Sequence, residues 1–346
     1  MNKEEAKKEE AASQPTSLVY PKEKNFKSLV QMTNGGDNAE AYFSFDNQHL
    51  VFQASNEAWG AECDQIFYMS VKNGSMEKKP PLLSTGKGRT TCSYFLPGDK
   101  EILYASTHLA DDACPEAPRS VNGKYVWPIF ESFDIFVADL EGNITRQLTK
   151  EPGYDAEATI SPDGKTIVFT SMRSGDLELY TMDLQGNNVK QVTTGLGYDG
   201  GAFFSPDSKK LVFRSSRPKT EEAIKNYKDF LAKGLVQPTN MEIYTCNVDG
   251  SELTQVTNLG KANWAPYYHP SGEKILFSSN HHSKSGRQFN IFSIDADGKN
   301  LKQITFDEAF DAFPMFSFDG KYLAFSSNRN NGGGRSTNVF LAEWMD

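Results

Sequence analysis

Nothing in this chain approaches the run of roughly 20 apolar residues that a membrane-spanning helix needs. Its 38% hydrophobic and 12% aromatic content therefore reads as the core of a soluble globular protein. Positive charge is in deficit: 36 Lys and Arg face 45 Asp and Glu, a formal net charge of -9. A phosphate backbone needs a basic face, so nucleic acid is excluded and a cationic or neutral partner is expected. Neither G-x-S-x-G nor H-E-x-x-H occurs, which removes a nucleophile elbow and a helical zinc site. The run Gly195–Gly200 fits G-x-G-x-x-G, but a strand pattern follows it where a dinucleotide site needs a helix. Asp295-Ala296-Asp297-Gly298 starts like a calcium loop, yet Lys299 and Phe306 stand at ligand positions and cannot coordinate the ion.

What the chain has instead is one phrase written six times. It is clearest at Ile160-Ser161-Pro162-Asp163-Gly164-Lys165-Thr166-Ile167-Val168-Phe169, and it returns around Ser205, His269 and Ser317, with weaker copies around Ser44 and Leu96. An apolar run, a Pro/Asp/Gly turn and a second apolar run describe two strands joined by a tight turn. Each copy continues into a third strand ending in an aliphatic-aromatic pair, such as Leu179-Tyr180 or Ile291-Phe292. A fourth strand follows with the signature Gln-aliphatic-Thr, seen at 147–149, 191–193, 255–257 and 303–305 and degenerate at Leu82-Leu83-Ser84-Thr85. Four strands per repeat make a propeller blade, and six repeats predict an all-β, six-bladed β-propeller.

The sixth repeat reaches Asp346 after its third strand, while Val30-Gln31-Met32-Thr33 supplies a spare fourth-strand signature near the other end. The N-terminal strand is therefore expected to complete the last blade and close the ring, removing exposed edges. The propeller should occupy residues 24–346. Ahead of it, residues 1–23 begin with a polar stretch that has no apolar periodicity and reads as a disordered tail. No apolar leader follows Met1; the polar tail resembles the tether of a bacterial lipoprotein whose leader and lipidated cysteine have been replaced by a methionine. That reading places the protein in the periplasm or at the outer membrane rather than in the cytoplasm.

Blades 2 and 4 carry insertions of about 16 to 20 residues, at about 107–132 and 217–240, both between the second and third strands. In the later one, the apolar spacing of Ala223, Ile224, Tyr227 and Leu231 predicts a short amphipathic helix. Trp127, Pro128, Tyr125, Tyr227 and Phe230 are too apolar for solvated loops, so they should pack over the rim. Cys246 should be a buried free thiol, and Cys63, Cys92 and Cys114 lie close enough to the same face for one disulfide among them if the protein is exported.

In a four-stranded meander the start of the first strand and the second-to-third connection open on one face. Six residues before each turn stand Asn38, Thr90, Asp155, Asp199, Asn263 and Asp311, which form a ring around the channel, with Glu40 and Glu157 two residues deeper. Arg173, Arg217 and Arg329 should temper the acids at the rim, beside Trp264. The expected ligand site is this mouth, open to a divalent cation, an amine or a Lys or Arg side chain; no cofactor is otherwise expected. His108, His281 and His282 reach the same face, where three neutral imidazoles offer an alternative metal site.

The repeats at 158–169 and 315–329 resemble those of the TolB-like six-bladed β-propellers, and the resemblance covers about residues 24–346. It implies a fold more than an activity, because the repeat is a packing unit shared by binding proteins, peptidase accessory domains and a few lyases. The reading that follows is a non-catalytic binding or scaffold protein of the bacterial envelope, taking a protein or small ligand at the channel mouth. The alternatives are a metal-dependent lyase or hydrolase, or an accessory or sensor domain for a separate enzyme.

Overall fold

The chain is described by a computed structural model over residues 18–74, 76, 78–306, 308 and 310–346. Six antiparallel sheets stand around an axis as the blades of a propeller. The inner strands are Asp37–Phe43, Thr90–Phe95, Asp155–Ile160, Asp199–Phe204, Asn263–Tyr268 and Asp311–Phe316. Blade 6 is completed by the N-terminal strand Phe26–Gln31, which pairs antiparallel with Asn338–Trp344, so the closure expected from the spare signature is observed. No helix among the described residues is long and apolar enough to cross a membrane.

The repeated turn has a local cause. Ser161 Oγ donates to Asp163 Oδ1 at 2.6 Å and accepts from Thr166 N at 3.0 Å, so one side chain knots the turn from inside. Ser44, Ser205 and Ser317 bond their own aspartates in the same way. Gly164 sits at φ +69, and a Cβ there would stand 2.6 Å from Pro97 of the preceding blade, so the position needs glycine twice over.

The fourth-strand signature is explained by its threonine. Thr149, Thr193, Thr257 and Thr305 each accept the N–H of the third strand's second residue at 2.8–2.9 Å. Thr33, in the N-terminal copy, does the same for Val339. The degenerate copy in blade 1 behaves differently. Its backbone forms only an isolated bridge, Phe67 to Leu82, and the sheet has three strands, although Ser84 Oγ still accepts from Ile66 N.

Each blade is packed around one aromatic pair. Phe52, Tyr104, Phe169, Phe213, Phe277 and Phe325 occupy the same place in the second strands and are at most 1% exposed. Their third-strand partners, Phe67, Phe136, Tyr180, Tyr244, Phe292 and Phe340, lie at centroid distances of 5.9–6.3 Å. Burying a side chain of this size contributes about 1.5–3 kcal/mol, so these pairs carry much of the hydrophobic stabilisation of the ring.

One expectation needs correction. Of the tail expected over 1–23, residues 1–17 lie outside the described residues, but residues 18–23 pack against blade 6. Glu23 is buried and pairs with Arg329 at 3.0 Å, and Tyr20 lies under the Arg329 guanidinium at 4.8 Å. A buried guanidinium that already faces Asp311 draws in the second carboxylate.

Candidate functional site

The six residues expected to ring the mouth do start the inner strands or sit one residue in, but they do not form an open acidic ring. Asp155 pairs with Arg173 at 2.8 Å, Asp199 with Arg217 at 2.5 Å and Asp311 with Arg329 at 2.9 Å. Each arginine stands two residues past its second strand and lies over its blade's aromatic rings: Arg173 is 5.1 Å from Phe169 and 5.2 Å from Tyr180, and Arg217 is 5.7 Å from Tyr244. The carboxylates are nearly inaccessible, and a buried carboxylate without a cation costs several kcal/mol. Burial still holds Asp155 and Asp199 above the usual carboxylate range, with the guanidiniums pulling them back. These pairs neutralise the three carboxylates and lock each inner strand to the connection that follows its second strand.

Histidine takes the arginine's place in blades 2 and 5. His108 lies 4.5 Å from Phe136, and His281 lies 4.5 Å from Phe292. Each accepts or donates a hydrogen bond at Nδ1 with the serine two residues earlier, Ser106 or Ser279, at 2.9 Å. Burial holds all three histidines, His282 included, below their ordinary pKa. His108 and the His281–His282 pair are thus tied into different blades. Among the described residues, no group of three His, Cys, Asp or Glu side chains converges as a metal site. Asn263 is likewise committed, donating to Met241 O and accepting from Ser279 Oγ.

The groups that do converge lie deeper. Four residues before each turn stand Glu40, Cys92, Glu157, Gly201, Ala265 and Phe313, all with φ between +43 and +58. Every inner strand breaks register there, and such a bulge re-aims a side chain. Five of the six are not glycine, and each of those five stores backbone strain of about 1–3 kcal/mol, a cost concentrated at functional sites. Two residues further on, Tyr42, Tyr94, Phe203 and Tyr267 form an aromatic layer with centroid spacings of 5.1–6.4 Å. Above this layer opens a cavity of about 1200 Å³ lined from all six blades and both insertions.

Its centre is a network that sequence reading half found. Glu157 Oε1 accepts from Tyr198 Oη and from Arg214 Nη2, each at 2.5 Å, and Oε2 accepts from Gly201 N at 2.7 Å and Thr170 Oγ1 at 2.9 Å. Arg214 lies 5.1 Å from the Trp127 ring and 5.2 Å from the Tyr198 ring. A Cβ on Gly201 would stand 2.0 Å from Arg214 Nη1, so the glycine makes room for the guanidinium. Arg214 was missed because it sits mid-strand, in Lys210–Ser215, with no motif to mark it. The only available signal was Gly201 at the position where blades 1 and 3 carry glutamate.

The insertions meet over this cavity. Trp127–Pro128 pairs antiparallel with Leu235–Val236, so the two lids form one small sheet that bridges blade 3. The helix expected in the second insertion is Glu221–Leu231, capped by Thr220 and fixed by Tyr227 Oη donating to Asp176 at 2.5 Å. Trp264 Nε1 donates to Pro238 O at 2.9 Å and its ring lies 4.4 Å from Phe289. Of the residues expected over the rim, Trp127 and Pro128 line the cavity and Tyr125 stays half exposed at its lip, whereas Tyr227 and Phe230 are buried elsewhere, Phe230 in a cluster with Val126 and Leu235. Cys63 and Cys114 form the disulfide, which ties the first lid to blade 1; Cys92 remains a free thiol lining the cavity and Cys246 is buried.

Residues 130–229 match the family model of the TolB beta propeller domain. Among solved structures, one described as TolB from Agrobacterium tumefaciens is 19% identical with a TM-score of 0.57, over 90% of this chain and 91% of that one. TolB from Acinetobacter baumannii is 19% identical with a TM-score of 0.54, over 89% of this chain and 63% of the other. An oligogalacturonate lyase from Vibrio parahaemolyticus is 11% identical with a TM-score of 0.51, over 95% and 96%. At these identities the likeness is one of fold.

Proposed function

We propose that this TolB-like six-bladed β-propeller is a non-catalytic binding protein that takes a small molecule or a segment of a partner protein into the cavity at its channel mouth. The observation that carries the reading is the cavity itself: Trp127 and Trp264 pack tilted against each other in its wall, above a floor whose polar groups are largely satisfied by one another. Aromatic walls with a few fixed polar groups suit binding and orientation. Glu157 and Arg214 are committed to each other and to Tyr198, which suits holding a shape rather than exchanging protons. The disulfide between Cys63 and Cys114 supports an oxidising compartment, in keeping with a periplasmic protein or one tethered at the outer membrane by its polar N-terminal stretch. The lyase alternative loses its main support because His108 stands on blade 2 while His281 and His282 stand together on blade 5.

The test is titration calorimetry with a panel of short peptides and oligosaccharides against wild type and a Trp127→Ala/Trp264→Ala variant. Binding by wild type that is lost in the variant supports the reading. A ligand bound equally by both proteins sits elsewhere and contradicts it.

A further inference from the structure

We propose that Glu40 receives the cationic head, an ammonium or guanidinium, of the molecule that fills this cavity, an inference that rests on the cavity being the ligand site. The whole lining carries four carboxylates and four guanidiniums, with Glu308, Arg287 and Arg335 exposed at the lip, but the charges at the floor do not balance. Asp64 is paired with Arg89 at 2.7 Å, and Glu157 is paired with Arg214. Glu40 meets only neutral donors: its Oε2 accepts from Tyr42 Oη at 2.9 Å and from Cys92 Sγ at 3.0 Å. Among the described residues no cation forms an ion pair with it, and its Oε1 makes no hydrogen bond.

The groups facing Glu40 come from four blades: Tyr42 on its own strand, Cys92 on blade 2, Glu157 on blade 3 and Arg214 on blade 4. Burial raises the Glu40 carboxyl above its usual range and Glu157 adds to this, while the two hydrogen bonds and Arg214 oppose it. A cation placed at Oε1 would supply the missing charge, and Trp127, Trp264 and Tyr154 line the same cavity, where ring faces favour a positive head. Arg287 and Arg335 also line the cavity, but they are exposed at its lip, where salt screens their effect on a charge at the floor. The same head group is available from a small aromatic amine or from a Lys or Arg side chain of a peptide.

Cys92 is a built-in reporter, because Cys246 is fully buried and the other two cysteines are joined to each other. The wild-type thiol is modified with the cationic reagent aminoethyl methanethiosulfonate and, separately, with the anionic sulfonatoethyl reagent. Relative to a free cysteine, the cationic reagent should be favoured by about tenfold. In Glu40→Gln, which keeps an oxygen for Tyr42 and Cys92, that preference should vanish, with a melting curve confirming the fold. A wild-type ratio equal to that of free cysteine, or a ratio unchanged in Glu40→Gln, overturns the inference and leaves the cavity reading standing. In a second arm, tryptophan emission is titrated with phenethylammonium, phenethyl alcohol and an acetylated, amidated lysine tripeptide. Binding by phenethylammonium alone assigns a small amine, and binding by the tripeptide assigns a peptide side chain. Binding of the alcohol as tightly as the ammonium, or of none of the three, overturns the inference.

Discussion

Trp127 and Trp264 lie with ring centroids 5.0 Å apart, although one belongs to the insertion of blade 2 and the other to the inner strand of blade 5. Trp127 also covers Arg214 of blade 4, so one indole joins three parts of the ring over the cavity. Trp127→Ala should lower stability by roughly 1–2 kcal/mol, less than emptying a fully buried Trp site because the ring is only partly covered. Ligand affinity should fall by about tenfold or more, since the lost ring is a wall of the site. Urea melts and calorimetry on the same preparation separate the two effects, and a stability loss with unchanged affinity would remove Trp127 from the site.

Deleting residues 219–238 removes the helix Glu221–Leu231, the Leu235–Val236 strand and the Tyr227–Asp176 bond, yet no strand of any blade. The ring should still melt in one cooperative step while binding at the mouth is lost. Scanning calorimetry checks this; a broad, non-cooperative melt would make the insertion part of the scaffold instead.

Arg329 sits between Asp311 and Glu23 and is 3% exposed. Arg329→Met would leave two buried carboxylates facing each other, and removing one partner of a buried ionic group costs about 3–5 kcal/mol. A chain starting at Gly36 would lose Glu23 and the strand Phe26–Gln31 together and should melt lower still. Urea denaturation of both variants checks the order, and a Gly36 truncation that melts like the full chain would contradict closure by the N-terminal strand.

Glu178 is buried, accepts from Thr193 Oγ1 at 2.6 Å and is raised from an ordinary 4.5 to about 8, first by burial and then by the nearby Asp199. A folded-state pKa above the unfolded value means that the folded protein holds the extra proton between the two values. The contribution is present below the lower value and is lost as pH rises through the window. Wild-type melting temperature should therefore fall more steeply from about pH 5 to about pH 8 than that of Glu178→Gln, which keeps an acceptor for Thr193. Parallel slopes for the two proteins would refute the assignment.

The fold was legible because each blade repeats the same local chemistry. Ser161 with Asp163 writes the turn, Phe169 with Tyr180 writes the core pair, and Gln191 to Thr193 writes the fourth strand. The mouth was legible as a place but not as a set of contacts. Asp155 and Arg173 are both visible in the sequence, yet only the register of Asp155 against Ser171 shows that the arginine turns back onto its own blade. The bulge ring was hidden because its positions share a backbone conformation and no residue type, running from Glu40 to Phe313. The pairing of Trp127–Pro128 with Leu235–Val236 joins two-residue strands far apart in sequence, too short to carry a periodic signal.

The chain has four tryptophans. Trp59 packs against Phe52 and Phe67, and Trp344 packs against Phe26 and Phe316, so a Trp59→Phe/Trp344→Phe variant confines the emission to Trp127 and Trp264 at the cavity. Titrating that variant with each ligand that raises the melting temperature shows whether the ligand sits at the mouth. A ligand in the cavity should give a saturable change in emission with the same affinity as calorimetry. A ligand that stabilises the protein and leaves the emission unchanged would show that binding takes place away from the mouth.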